Sequence, residues 1–348
     1  MKKFNWKKIF NILFLITVFC LTLWSVFHGE NFYQVLAYLT TANPLYIMPG
    51  IACVILFIIG ESVIIFYLMK TLGTQIQFSH CCLYSFIGFF YSCITPSASG
   101  GQPMQVVAMR KDRIPVAVST VVLAIVTITY KLVLVLIGAV VLLLRPPQLM
   151  LYLEPVESIM YLGMGLNVIC ITALFLLVFH PNMVRDLAHR FLKLIQQIHP
   201  LQHPEKQEER LERIVLQYHG SAEFYRKNKH VIVRVFLFTL LQRFFLFLVT
   251  WLTYRAFSLS GHSMMVIVTL QAMISVAADM LPLPGGMGVS ENLFLEIFQP
   301  IFGEAFLLPG MILSRGISYY TQLLISAAMT IAASFLLTEK TQKGGTHL

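Results

Sequence analysis

In the last third of the chain, a long apolar run is interrupted by the string Leu281-Pro-Leu-Pro-Gly-Gly-Met-Gly-Val-Ser-Glu291. Its prolines remove backbone N–H donors, and its glycines allow positive φ and the close approach of another group. A second string of this kind, Thr95-Pro-Ser-Ala-Ser-Gly-Gly-Gln-Pro103, interrupts an earlier apolar run. Both strings free backbone groups that need partners, so the residues around them decide the fold.

The residues around the two strings are predominantly apolar. Of the 348 residues, 57% are hydrophobic and only 12% are charged, whereas a soluble domain carries roughly 25% charged residues. This composition excludes soluble, disordered and secreted proteins, and it predicts an all-α polytopic membrane protein with a single domain over residues 1–348. A full span needs about 20 apolar residues. We expect about six full spans, at residues 9–27, 45–69, 115–144, 158–180, 231–257 and 305–338.

The two strings predict a pair of re-entrant hairpins, at residues 81–112 and 263–302. In each, an apolar stretch is followed by the break and then by a short helical piece, 104–112 or 289–302. Neither piece can cross a bilayer at about 1.5 Å per residue. Irregular backbone at membrane depth survives only beside protein or a polar cavity, so both tips are expected to face such a cavity.

Charge counting gives the predicted orientation. With the N-terminus inside, 19 of the 25 Lys and Arg residues lie on the cytoplasmic side, as the positive-inside rule requires. Both termini are then cytoplasmic, and the two hairpins enter from opposite faces. That arrangement suggests an inverted repeat, which many transporters contain.

The polar segment 181–230 is expected to be cytoplasmic. It begins with an amphipathic pattern after Asn182 and continues with a charged stretch that carries a sparse apolar stripe. Two interpretations are open: a solvated linker with two surface helices, or a segment that contacts anionic lipid headgroups.

Ionisable side chains at membrane depth are the most informative residues. Each is costly in hydrocarbon, by at least about 2.5 kcal/mol, and should therefore face protein or water. They either hold helices together as interior salt bridges or bind a substrate. Glu61 could pair with Lys131, and Arg315 with Asp279 or Glu291. The set is Glu61, Lys131, Arg243, Asp279, Glu291, Glu296 and Arg315.

The candidate site combines these charges with the two breaks. Helices that start after the breaks, near Pro103 and Val289, would direct their N-termini at the cavity, and a helix N-terminus attracts anions. Sequence motifs of hydrolases, metalloproteases and nucleotide-binding enzymes are absent, so no catalytic residue, metal or cofactor is expected. The predicted lipid-binding residues are Gly100, Gly101, Gln102, Pro103, Lys131, Asp279, Pro282, Pro284, Gly285, Gly286, Gly288, Glu291 and Arg315.

The P-x-P-G-G-x-G-x-x-E pattern of Pro282 to Glu291, with the upstream Pro96 to Pro103, resembles the lysylphosphatidylglycerol synthase transmembrane family. The resemblance is to the flippase-like half of MprF-type proteins, and it leads us to expect a stand-alone form without the soluble domain that transfers lysine. The resemblance implies a multi-pass protein of the bacterial inner membrane that moves lipids with aminoacylated or other polar headgroups. The family often carries Arg where Lys131 stands. Lysine keeps the positive charge but lacks the planar guanidinium with its parallel N–H donors.

The expected function is that of a lipid translocase acting on lysylphosphatidylglycerol or a similar phospholipid. Lys131 and Arg315 would hold the phosphate, while Asp279 and Glu291 would hold a cationic headgroup or a coupling proton. Two alternatives remain open: a phosphatidylglycerol lysyltransferase that uses lysyl-tRNA, and a scaffold for a separate lipid synthase. Expected partners are anionic or aminoacylated phospholipids, with a homo-oligomer left open. A nucleic-acid partner is expected only under the lysyltransferase alternative.

Overall fold

The computed structural model describes residues 32–179, 185–186, 190, 204–283 and 286–343. Every regular element in those ranges is helical, which confirms the all-α prediction. They include a 3₁₀ turn at Glu154–Val156 and a π-helical segment at Gly316–Thr321. The helices are α1 Phe32–Thr40, α2 Pro44–Thr71, α3 Phe78–Ile94, α4 Gly101–Lys111, α5 Val116–Leu144, α6 Pro147–Leu153, α7 Glu157–Phe179, α8 Pro204–Lys227, α9 Lys229–Ala256, α10 Met264–Ala278, α11 Val289–Arg315 and α12 Gln322–Lys343.

In the described ranges, five helical stretches are long and apolar enough to cross a bilayer. Each overlaps one of the predicted spans, although the last stretch also includes the piece 289–302 that was assigned to the second hairpin. The predicted span 9–27 lies outside the described residues. The predicted span 158–180 begins earlier than expected, because α6 and a short turn continue the apolar stretch back to Pro147. The five stretches are Pro44–Thr71, Val116–Leu144, Pro147–Phe179, Lys229–Ala256 and Val289–Ala332.

The apolar side chains of these helices face outward as well as inward. On α7, for example, Leu162 is 56% exposed and Ile169 is 67% exposed. Large apolar surfaces of this kind are unfavourable in water and mark contact with lipid or another protein. Together with the span lengths, they identify a multi-pass membrane protein.

The first hairpin has the predicted form, with one shift. Helix α3 ends at Ile94, and α4 begins at Gly101, two residues before the predicted start at Pro103. Pro103 lies in the first turn of α4, where its missing N–H has no intrahelical partner to lose. The hydroxyl of Thr95 accepts a hydrogen bond from the Gly100 amide at 2.8 Å, which closes the break.

The second hairpin also has the predicted break, after α10 ends at Ala278. Gly288 (φ +83°) precedes α11, and the carboxylate of Glu291 accepts a hydrogen bond from its amide at 2.7 Å. Within α11, Gly303 has non-helical angles (φ +68°, ψ 165°) that separate the short piece 289–302 from the predicted last span. That span is not one regular helix, because the π-helical segment Gly316–Thr321 interrupts it.

Helices from the first half of the chain pack on helices from the second half. Helix α2 packs on α9. Helix α3 packs on α12, as α10 packs on α5. The tips of the hairpins meet, since the Ser97 hydroxyl donates to the Leu281 carbonyl at 3.2 Å. Contacts between the two halves therefore hold the hairpin tips together.

Helix α8 is the described part of the predicted polar segment. Its apolar stripe is partly buried, with Tyr218 donating to the Leu177 carbonyl at 3.2 Å and Tyr225 to the Leu68 carbonyl at 2.8 Å. Burial raises the pKa of Tyr218 to about 12, so its phenol stays a donor at neutral pH. Helix α8 is therefore a surface helix that packs on α5 and is hydrogen-bonded to the ends of α2 and α7. The amphipathic pattern at 184–198 lies largely outside the described residues.

Candidate functional site

A cavity of about 440 Å³ lies where the tips of the two hairpins meet. Residues from both breaks, from the π-helical segment and from helices α2 to α5, α7 and α9 to α12 contribute to its wall. For a space enclosed by apolar helices, its lining is unusually polar. The charged and amide side chains on the wall are Glu61, Gln102, Gln105, Lys131, Gln242, Arg243, Gln271, Asp279, Arg315 and Gln322.

The first ion pair on this wall joins Lys131 of α5 to Asp279, which caps α10. The Lys131 ammonium donates a hydrogen bond to the Asp279 carboxylate and also contacts the Met280 sulfur at 2.8 Å. The two side chains are only 8% and 16% exposed. An isolated charge would be very unfavourable here, so each residue stabilises the charged form of the other.

The second ion pair joins Arg315 to Glu291. The Arg315 Nε donates to Glu291 Oε1 at 2.8 Å, and the other Glu291 oxygen accepts the Gly288 amide. Glu291 therefore caps α11 and holds Arg315 at the same time. Arg315 lines the cavity, whereas Glu291 lies behind it with a side chain only 6% exposed.

A third polar group forms where α2 crosses α9. Glu61 Oε1 accepts a hydrogen bond from the Gln105 amide of α4 at 2.7 Å. The Arg243 guanidinium lies 3.4 Å from the centroid of the Tyr130 ring and 4.9 Å from that of Phe57. The sequence interpretation that paired Glu61 with Lys131 is wrong, because Lys131 is engaged by Asp279 and Glu61 by a neutral amide.

The structure distributes the predicted site residues unevenly. Gln102 donates from its amide to the Thr127 hydroxyl on the cavity wall. A Cβ on Gly101 would lie 2.6 Å from the Gly88 carbonyl oxygen, so this glycine serves the packing of α4 against α3. The predicted site residues that line the cavity are Gln102, Lys131, Asp279, Gly286 and Arg315. The predicted site residues that the structure places away from the wall are Gly100, Gly101, Pro103, Pro282, Gly288 and Glu291. Pro284 and Gly285 lie outside the described residues.

Two of the charged residues on the wall, Glu61 and Arg243, were absent from the predicted site. Both were visible in the sequence as intramembrane charges. They lie on the same cavity wall because α2 packs on α9, which brings together two residues that are 182 positions apart in the chain. Glu296, also singled out in the sequence, is not on the wall.

The chemistry available in the cavity is recognition by charge and hydrogen bonding. Side chains of both signs lie on this wall, and two of the cations are held by carboxylates, Lys131 by Asp279 and Arg315 by Glu291. In the described residues, no cluster of three His, Cys, Asp or Glu side chains has a metal-binding arrangement. The cavity can therefore accommodate a polar group of mixed charge at the depth of apolar helices.

Comparison with known proteins agrees with the fold. The family model described as lysylphosphatidylglycerol synthase TM region matches residues 11–326 of the 348-residue chain. A comparison with curated protein sequences finds no match. The family match covers both hairpins, both ion pairs and the whole cavity. The chain belongs to the family of the lysylphosphatidylglycerol synthase transmembrane region.

Proposed function

We propose that this protein moves a phospholipid with a polar headgroup, such as lysylphosphatidylglycerol, between the leaflets of a bacterial inner membrane. The observation that carries the proposal is the polar cavity at the meeting point of the two broken hairpins. Its volume of about 440 Å³ falls within the range of about 300–1,000 Å³ typical of small-ligand sites. In this mechanism, the headgroup enters the cavity and the acyl chains stay in lipid.

The charges on the wall suit a headgroup that carries both signs. The carboxylate of Asp279, which now accepts from Lys131, can accept from a lipid ammonium instead, while Lys131 turns to the lipid phosphate. Arg315 can make the same exchange only by releasing Glu291, which also caps α11. Lys131 and Asp279 are therefore the pair that rearranges, and Arg315 with Glu291 holds the second hairpin in place.

Reconstitution into liposomes tests the proposal. Vesicles of phosphatidylglycerol and phosphatidylethanolamine, with and without the protein, carry a fluorescent lysylphosphatidylglycerol analogue, and a membrane-impermeant quencher reports the fraction in the outer leaflet. We expect the protein to raise the quenched fraction from about one half toward completion. Equal quenching in protein-free vesicles would refute translocation.

The same vesicles separate the alternatives. Incubation with labelled lysyl-tRNA and phosphatidylglycerol should leave the lipid unlabelled. Formation of labelled lysylphosphatidylglycerol would instead establish a lysyltransferase. If neither labelling nor movement of lipid occurs, the scaffold alternative is favoured.

A further inference from the structure

Three cations from the described part of the chain line the cavity, and they differ in how their charge is balanced. Lys131 is paired with Asp279 and Arg315 with Glu291. Arg243 makes no ion pair within 4.0 Å to any described residue. Its Nε is buried and has no hydrogen-bond partner. Arg243 is thus a guanidinium with unused donors on the wall of a polar cavity.

Aromatic rings hold Arg243 in this position. Its guanidinium carbon lies 3.4 Å from the Tyr130 ring centroid and 4.9 Å from that of Phe57. Stacking on the ring faces leaves the N–H groups at the edge of the planar guanidinium available to a ligand. An arginine stacked in this way loses little conformational freedom when it binds, because its plane is already oriented.

A second cation shares one of these rings. The Lys131 ammonium lies 5.2 Å from the centroid of the Tyr130 ring that Arg243 also contacts. Asp279 is hydrogen-bonded to Lys131, so its charge is largely compensated by that residue. Two neighbouring cations in a poorly solvated cavity repel each other, and this repulsion is relieved only when an anion lies close to both.

The remaining carboxylate on the wall does not fill that role. Glu61 lines the same cavity, but its Oε1 accepts a hydrogen bond from Gln105 at 2.7 Å, and it lies beyond ion-pair distance of Arg243. Glu61 is therefore hydrogen-bonded by α4, and its charge attracts that of Arg243 only at longer range, without a shared hydrogen bond. The donors of Arg243 are left for a group that enters the cavity.

We propose that Arg243 binds the phosphodiester anion of the lipid in the cavity, with Lys131 as its neighbour and Tyr130 as the platform between them. The lipid as the source of the anion rests on the proposed function, whereas the anion site itself rests on the geometry of Arg243. A guanidinium offers two parallel N–H donors to two phosphate oxygens, which an ammonium cannot do. The site thus selects lipids with a phosphate over neutral lipids such as diacylglycerol.

A binding measurement on the purified full chain in detergent tests this site. The probe is dihexanoyl phosphatidylglycerol, titrated by calorimetry, with dihexanoyl glycerol as the neutral comparison. We expect saturable binding of the phospholipid only, and an affinity at least about tenfold weaker for Arg243→Gln. Lys70→Gln, at an exposed cation near the end of α2, is the matched control and should bind as the wild type does. Equal affinity of Arg243→Gln and wild type would overturn the proposal.

Two further variants keep the test decisive if Arg243→Gln fails to fold. Arg243→Lys keeps the charge without the planar fork and should bind severalfold more weakly than wild type. Glu61→Gln removes a negative charge from the wall and should bind the phospholipid more tightly. Unchanged affinity in both variants would contradict the site.

The source of the anion is tested with inorganic phosphate as the probe. We expect phosphate to compete only at concentrations far above those of the short-chain lipid. If phosphate binds as tightly as the lipid and with the same dependence on Arg243, the ligand is free phosphate and the lipid assignment is overturned. A protein that binds the lipid through Arg243 and fails to move it in vesicles would refute translocation and leave this site standing.

Discussion

Lys131 donates a hydrogen bond to the carboxylate of Asp279, a residue 148 positions later in the chain. The lysine belongs to α5, which follows the first hairpin, and the aspartate caps α10 within the second. The pair therefore ties the two halves together at the wall of the cavity. It stands beside the Met280 sulfur, on a wall that also carries Glu61, Arg243 and Arg315.

Removing one member of this pair should be more harmful to stability than removing both. We expect Lys131→Met to lower the free energy of unfolding in detergent by about 3–5 kcal/mol, because Asp279 is left buried and uncompensated. The double change Lys131→Met with Asp279→Leu should recover most of that loss. Thermal unfolding followed by intrinsic fluorescence measures both.

The exposed pair Arg145 and Glu157 provides the control for that experiment. Arg145 is 54% exposed, so Arg145→Met should cost less than about 1 kcal/mol. If Lys131→Met proves as mild as Arg145→Met, the Lys131 site is hydrated and the pair has no structural role.

Gly101 is predicted to be intolerant of even a methyl group. A Cβ at this position would lie 2.6 Å from the backbone oxygen of Gly88, which cannot move aside. We expect Gly101→Ala to destabilise the protein by about 1–3 kcal/mol. Gly165→Ala, where nothing lies within 4 Å of the new Cβ, should instead stabilise α7 by up to about 1 kcal/mol. Similar effects of the two changes on the unfolding temperature would show that α3 and α4 are not in close contact.

Gly286 combines a positive φ of 66° with close packing. An added Cβ would lie 2.6 Å from the Ser290 hydroxyl oxygen, so Gly286→Ala should cost more than the positive φ alone, which is about 1–2 kcal/mol. Gly73→Ala isolates that first contribution, because Gly73 has φ +75° and open space around it. Adding Ser290→Ala to Gly286→Ala should remove the difference between the two sites. If the unfolding temperatures of the two sites still differ after Ser290→Ala is added, the strain lies elsewhere in the break.

The predicted orientation is testable by single-cysteine labelling in a chain without its native cysteines. A cysteine at Ser260, in the exposed connection between α9 and α10, should react with a membrane-impermeant maleimide added to whole cells. A cysteine at Gln217, on the exposed face of α8, should react only after the membrane is opened. The opposite pattern would reverse the topology that the positive-inside rule predicts.

The breaks and the buried charges could be predicted from the sequence because their signals are local. Pro282 and Gly288 mark the second break by residue type alone, and Lys131 stands out as a charge within an apolar run. The early start of α4 at Gly101 could also have been read locally, since Pro103 is well suited to a first helical turn.

The partners of these charges could not be predicted, because they are set by helix packing. Glu61 meets Gln105 and not Lys131 because the long Gln105 side chain of α4 reaches across the cavity wall to α2. The exclusion of Gly101 from the cavity likewise depends on the closeness of α3. Arg243 shows no sequence feature that separates it from a structural arginine; its unused donors become visible only with Tyr130 beneath it.

The most direct measurement is the rate of lipid movement catalysed by the stable double variant Lys131→Met with Asp279→Leu. In the quenching assay with the fluorescent lysylphosphatidylglycerol analogue, the wild type should move the lipid and the Lys70→Gln control should match it. The double variant, folded by its unfolding temperature and incorporated to the same level, should not exceed protein-free vesicles, because its cavity no longer offers the paired charges to a headgroup. Movement by the double variant at the wild-type rate would contradict a path through this cavity.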